Sequence, residues 1–360
     1  IYGDASKIDY LDAEGCYLSS IDLGDCENLD VLNLQHNELQ ALDLSKYTKL
    51  SSIYLTDNPF TAATPLVVGK NHPNLMILEV DIIDHISPDF DIDTYPELIS
   101  FDAYATKSLS KLTPSGCPKL ARLSVDMCAV SELDVTKNHE LLVLNIEDTR
   151  IRSIDLSGCP KLQQFYCRNA SGSVNTDVKI SSLDLSHNPA LTYLSAGSNL
   201  LTSLDLSKNP ALTFINVCYN NLASINLDGI TETSTLNLTG NRFGFSTLPL
   251  PSEAYGDYTY DQQPLPAARS YAAGTVLDFS SMVLREGTTT DAVLYAYSTT
   301  SDAAEPLDDS YYSYADGKLT LLKEYTDSVY VSFGNSSFPD ARLQTALFMV
   351  KNAADYGKPS

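Results

Sequence analysis

The chain has 360 residues, 43% of them hydrophobic, and a formal net charge of −23. That is enough apolar material for one large or two ordinary domains, and it argues against wholesale disorder. No apolar run approaches the roughly 20 residues of a membrane helix. Lys and Arg never cluster, which makes nucleic acid and anionic membrane poor partners for so acidic a chain.

The first residues, IYGDASKIDY, hold neither an initiator Met nor a basic-then-apolar leader. They read as the start of a processed or trimmed product whose leader or lipid anchor has been removed. From Ile8 onward a unit of about 21 residues recurs. Copies start at Ile8, Leu29, Leu50, Leu75, Leu98, Leu120, Leu141, Leu162, Leu191, Leu212 and Thr233. Leu212–Leu222, LTFINVCYNNL, fits L-x-x-L-x-L-x-x-N-x-L, the signature of a leucine-rich repeat. Leucines at offsets 0, 3 and 5 alternate with outward positions as in a half-buried strand. One strand per coil, stacked in parallel at about 4.8 Å, gives a solenoid of about eleven coils with the parallel sheet on its concave face. The rest of each unit, such as TSLDLSKNPA at Thr202–Ala211, is short and turn-rich and predicts a non-helical outer wall.

Offset 8 is Asn37, Asn58, Asn199, Asn220 or Asn241 in five copies, at a corner where an amide can bond backbone groups of neighbouring coils. Cys16 and Cys128 take the same place. Cys26, Cys117 and Cys159 share a second slot, near offset 18, with Asn138 and Asn209. Two coils separate Cys117 from Cys159, roughly 10 Å and beyond disulfide reach. The seven cysteines form no disulfide framework and leave the redox compartment open. They read as ladder residues rather than metal ligands, with Cys167 buried at offset 5 and Cys218, at an outward offset 6, as the one accessible thiol. Ile83, Thr106, Thr149 and Ala170 replace the offset-8 residue in four copies, so the ladder is expected to be weakest mid-chain.

Insertions interrupt the rhythm at Thr61–Asn74 and Ser171–Lys179. Asp89, Asp91 and Asp93 mimic the opening of a calcium loop, but Thr94 and Ser100 stand where that loop needs Gly and Glu. An acidic surface loop is the better reading. After residue 247 the repeat stops. Residues 248–266, rich in Pro and Tyr, read as cap and linker. Residues 267–354 carry short alternating runs beginning at Thr275, Ala292, Lys318, Ser328 and Leu343, which predict a small all-β sandwich, Ig-like.

The eleven copies resemble the 21-residue repeats of bacterial secreted and surface leucine-rich repeat proteins, internalin-like and of the Bacteroides type. Thr202–Leu222 matches their unit LTSLDLSxNPxLTxLxxxxNxL almost letter for letter. Val329–Val350 is similar to the strand pair closing the β-domain that often follows such repeats. The resemblance implies export, display at the bacterial cell surface, and binding of proteins or glycans.

Offsets 2, 4, 6 and 7 predict what the concave face carries. The acids are Asp12, Glu14, Asp57, Glu79, Asp81, Asp102, Asp126, Glu147 and Asp148, opposed only by Arg122 and Arg168. The aromatics are Tyr10, Tyr54, Tyr104, Tyr166, Tyr193, Phe214 and Tyr219. Such a face suits adhesion to a protein ligand, of host or cell-surface origin and basic, with acids steering and aromatics supplying contact. Two alternatives are a glycan-binding accessory protein, with Tyr166, Tyr193 and Phe214 stacking on sugar rings, and a structural spacer. No metal or cofactor motif appears, and the five histidines fall in loops or turns. Glu79 and Asp81 lie on one open face that excludes little water, so an enzyme is not expected.

Overall fold

The structure is a computed structural model that describes residues 5–169, 178–260, 264, 265, 267, 268, 270–298 and 301–351. The insertion SGSVNTDVK lies almost wholly outside the described residues, as does Ala170. The chain divides into two compact units, one of residues 1–216 with 226–231, the other of 217–225 with 232–360.

In the first unit each of the ten copies from Ile8 to Leu212 places a three-residue strand at offsets 2 to 4. These strands run Tyr10–Asp12, Val31–Asn33, Ser52–Tyr54, Ile77–Glu79, Ser100–Asp102, Arg122–Ser124, Val143–Asn145, Gln164–Tyr166, Tyr193–Ser195 and Phe214–Asn216. All neighbours pair in parallel, offset against identical offset. Copies of 25, 23 or 29 residues therefore keep the register of 21-residue ones. The central strand residue is buried in every copy from Leu32 to Ile215, as are the leucines at offset 0. Each coil alone exposes those leucines and only its neighbours cover them, so the stack is the core. The outer wall is turns, and its Asp-x-Ser/Thr segments close on themselves. Ser157, Ser186 and Ser207 each donate a backbone N–H to the preceding Asp155, Asp184 or Asp205 at 2.9 Å.

Two columns of polar side chains cross the coils. At offset 8 the asparagine uses both ends of its amide. Asn58 donates to Leu34 O and Leu55 O at 2.9 Å and accepts from Leu39 N at 3.1 Å. Asn37 and Asn199 do the same, accepting from Leu18 N and Ile180 N. Where asparagine is missing, Thr106 donates to Val80 O at 2.6 Å, Cys128 to Ala103 O at 2.8 Å and Thr149 to Ile146 O at 2.8 Å. The column thus continues through the middle of the solenoid, where it was expected to be weakest; among the described offset-8 residues there, Ile83 brings no side-chain donor.

The second column needs less. Asn138, Asn188 and Asn209 each donate to two carbonyls of the preceding coils at 2.9–3.0 Å, while their Oδ1 atoms are buried without a partner. A thiol supplies the kind of group used there, a donor, with one hydrogen where the amide has two, and brings no side-chain oxygen to be left unpaired. Cys117 donates to Ile92 O at 3.0 Å and Cys159 to Val135 O at 3.4 Å. The same place is filled by Tyr47, whose hydroxyl donates to Gly24 O, by Tyr95 donating to Gly69 O, and by His72, whose Nε2–H donates to Val68 O at 2.6 Å. Burial pushes the thiols of Cys117, Cys128 and Cys159 up to about 12, which keeps them protonated donors. No disulfide joins any of the seven cysteines. Cys218 is not the accessible one: it is only 8% exposed. Cys16 is exposed instead.

The second unit contains the last repeat strand, Thr233–Asn237, paired in parallel with Tyr255–Thr259 inside the stretch read as cap and linker. Beyond it lie a seven-stranded sheet and a three-stranded antiparallel one. The strands anticipated near Thr275, Ala292, Lys318, Ser328 and Leu343 are present, and Ala303–Pro306 and Tyr312–Ala315 are added. The two sheets meet through Phe333, whose ring lies 5.1 Å from Phe279 and 5.9 Å from Tyr314. Arg285 donates to Phe245 O at 2.6 Å and Leu248 O at 2.9 Å, and Phe245 stacks on Phe338 at 5.5 Å, which fastens residues 243–248 to this sandwich.

Two outcomes follow from the columns. Asn138→Cys should change stability by less than about 1 kcal/mol, whereas Asn58→Cys, which orphans the buried N–H of Leu39, should cost about 2 kcal/mol; equal losses in urea unfolding would contradict the assignment. In the native chain a thiol reagent should label Cys16 alone, and labelling of Cys218 at a comparable rate would show that its burial is misplaced.

Candidate functional site

The concave face of the first unit falls into two zones, because one residue per coil repeats at a strand's spacing of about 4.8 Å. The first zone is acidic and runs over the copies starting at Leu75, Leu98, Leu120 and Leu141. Glu79 and Asp102 end their strands, and Asp81, Asp126 and Glu147 lie two residues beyond theirs. All five are half-buried. Asp102 accepts from Arg122 Nη2 at 3.1 Å, Asp81 from the Tyr104 backbone N–H at 2.7 Å, and Glu147 from Ser195 Oγ at 3.0 Å.

Arg122 and Arg168 do not neutralise five carboxylates, and the proton affinities of Glu79, Asp81, Asp126 and Glu147 are all raised. Burial, then the neighbouring Asp102, raises Asp81 to about 7. Burial with the charges of Asp102 and Glu147 lifts Asp126 to about 6. Glu79 is raised by burial and Asp102, with Arg122 opposing. Glu147 is raised by burial against the pull of Ser195 and Arg168. Desolvation leads in every case, with like charges adding to it.

The second zone is aromatic. Tyr166, Tyr193 and Phe214 come from three successive coils. Tyr193 and Phe214 stack with centroids 4.1 Å apart and planes 3° from parallel, and Tyr166 leans on Tyr193 at 4.8 Å and 34°. The shared offset of Tyr193 and Phe214 places them directly opposite each other in the strand register. These rings stand against one another like books on a shelf. The Tyr193 ring has a neighbouring ring on either side. The Tyr166 hydroxyl donates to Gln164 Oε1 at 3.2 Å.

The other anticipated residues are dispersed. Tyr54 is half-buried at the end of its strand. Tyr104 is 39% exposed beside Asp81, and Arg168 is exposed. Asp57, at offset 7, turns away from the strand with φ +59° and pairs with His36 Nδ1 at 3.2 Å. Tyr219, in the second unit, has the same turn, with φ +53°. Offset 7 is thus a left-handed corner, occupied by Gly15, His36, Asp57, Ile82, Ala105, Met127, Asp148 and Ser198 in the first unit. Asp57, Asp148 and Tyr219, expected on the strand face, therefore sit on this corner, together with apolar residues that the pattern of acids and aromatics does not bring to notice. The Gly, Asp and His at this corner, types that tolerate positive φ, were the available sign.

Of the loop acids, Asp91 is 8% exposed and structural. Burial works against its charge, but Thr113 donates both its N–H and its hydroxyl at 2.6 Å, the Ile92 N–H adds a bond at 2.8 Å, and Lys111 lies at 3.5 Å; the balance lowers its pKa. Among the described residues no group of three or more His, Cys, Asp or Glu is arranged to hold a metal.

Comparison with solved structures agrees on the fold. The chain is similar over 93% of its length to the functional domain of InlJ from Listeria monocytogenes, at 17% sequence identity and a TM-score of 0.60. It spans 65% of that structure's chain, which is described as including a cysteine ladder. Weaker likenesses include internalin C2 of Listeria monocytogenes, at 17% identity over 66% of this chain and 80% of that one with a TM-score of 0.35. Another is a leucine-rich repeat protein of Leptospira interrogans, at 16% identity over 61% and 69% with a TM-score of 0.38. No protein-family model and no curated protein matches the chain. The architecture is a leucine-rich repeat solenoid followed by a β-sandwich.

The raised carboxyls set a pH dependence. With pKa near 7 and 6 when folded against about 3.9 when unfolded, Asp81 and Asp126 bind more protons in the folded state. Their stabilising contribution is therefore complete below about pH 4 and lost as pH rises through 6 and 7. Asp81→Asn should flatten the fall in unfolding midpoint between about pH 5 and pH 8; a fall as steep as the parent's would contradict it.

Proposed function

We propose that this chain is a non-enzymatic recognition or adhesion protein, secreted or displayed at the bacterial surface, which binds a basic protein partner through its concave face. The observation that carries this reading is the zone of five half-buried carboxylates, Glu79, Asp81, Asp102, Asp126 and Glu147, in which Arg122 makes an ion pair with Asp102 alone and the exposed Arg168 acts on Glu147. Asp81 and Asp126, raised to about 7 and about 6 by burial and then by neighbouring acids, are relieved of both penalties when a cation pairs with them, so a basic surface is the natural occupant. The adjoining ring column adds rigid, amphipathic contact area of the kind that dominates protein interfaces.

The same column weighs against the glycan reading. Sugar rings stack on exposed aromatic faces, and Tyr193 and Phe214 spend theirs on each other at 4.1 Å. An external position agrees with the absence, among the described residues, of any helix long and apolar enough to cross a membrane, with the fold shared with InlJ, and with the resemblance of the repeats to exported proteins.

The test is a binding screen of the chain against extracellular proteins and polysaccharides on one array. Protein hits should weaken by about tenfold or more on an Asp102→Lys/Asp126→Lys double change and should lose their salt sensitivity. Tyr193→Ala/Phe214→Ala should cost a similar factor. Hits confined to polysaccharides, or protein hits indifferent to both pairs, would overturn the proposal.

A further inference from the structure

Along the offset-7 corner the residue types change abruptly. Gly15, His36 and Asp57 are followed by Ile82, Ala105 and Met127, and then by Asp148. The three apolar corners occupy consecutive coils, the coils that hold Glu79, Asp81, Asp102 and Asp126. Ile82 is the telling one. Its φ is +55°, in the left-handed region where a β-branched side chain crowds its own backbone. It is 48% exposed, so about half of the side chain is left without packing inside the protein to offset that conformation. Its N–H donates to Tyr104 O at 2.7 Å, which fixes it beside Tyr104, itself 39% exposed. Glycine or asparagine would hold the same corner at lower cost and without presenting oil to water. Strain of this sort on a large apolar side chain left half in water points to a use outside the folded chain.

We infer that Ile82, with Tyr104 and Met127, is an apolar hot spot on the corner that borders the concave surface, and that it receives a loop of a protein partner in which a large apolar side chain sits next to an Arg or Lys. Charge complementarity selects this occupant. The apolar rim borders the carboxylates of Asp81 and Asp126, which accept the basic group while Ile82 and Tyr104 cover the apolar one. A purely apolar occupant would leave those carboxylates desolvated and unpaired. The hot spot rests on the concave-face reading above but adds a location and a partner chemistry to it.

Random peptides displayed on phage, selected on the full chain, supply a defined probe. The selected sequences should pair a large apolar residue with Arg or Lys. Ile82→Gly and Ile82→Asn should weaken their binding by about tenfold while raising the unfolding midpoint by about 2 °C or more. Met127→Ser, which leaves the local backbone as permissible as before, should also weaken binding. A residue retained for stability would show the opposite, a lower midpoint with affinity unchanged, and that result would overturn the inference. Peptides lost on Tyr193→Ala/Phe214→Ala but indifferent to Ile82 and Met127 would remove the hot spot and leave the concave reading standing. Peptides indifferent to all of these would remove both.

Discussion

The structure depends on side-chain donors that reach from one coil to the backbone carbonyls of another. A coil of about 21 residues must turn several corners, and each corner leaves peptide groups without a strand partner in a place that water does not reach. The two columns satisfy them. At offset 8 both a donor and an acceptor are consumed, and asparagine is the residue that supplies both at that length. In the second column only the donor is consumed, and so asparagine, cysteine, tyrosine and histidine replace one another there. The exchange of Cys117 and Cys159 with Asn138 and Asn209 is a statement about hydrogen-bond arithmetic rather than about redox chemistry or metals.

Because the columns and the leucine stack hold every strand in the same register, the concave face is insulated from what happens on the outer side. Copies of 25 and 29 residues present offsets 2 to 6 on the same grid as copies of 21. That regularity brings residues of like kind together. Acids recurring in four successive coils form one desolvated cluster, and aromatics in three successive coils form one stack. Neither depends on a fold specialised for binding. Both follow from a parallel sheet that repeats a position every strand spacing, so that charge and aromaticity chosen coil by coil become surface properties.

Much of this is legible in the sequence because period and offset alone determine which residues meet. Tyr193 and Phe214, at one offset of adjacent copies, are neighbours by counting. What the period does not reveal is backbone conformation within the unit. Asp57, Ile82 and Tyr219 count as face residues by alternation, yet a left-handed corner redirects them, and Cys218, outward by the same alternation, is buried. Nor does counting show the orientation of rings. The same three aromatics that suggest a sugar platform on paper turn their faces toward each other, because adjacent parallel strands set large side chains at a distance that favours stacking. In the second unit the strand runs with clear alternation, such as Thr290–Ser298 and Tyr325–Asn335, were legible. The exposed edge strand Ala303–Pro306 was not, having no apolar face to announce it.

The concave face and the outer wall each carry a column of aspartates, and this allows a direct test. Carbodiimide labelling of carboxylates, read residue by residue in the mass spectrometer with and without a bound protein partner, reports which column the partner covers. The account predicts protection of Glu79, Asp81, Asp102, Asp126 and Glu147, with Asp134, Asp155, Asp184 and Asp205 labelled as before. Protection of the outer-wall column with the concave carboxylates still reactive would contradict it.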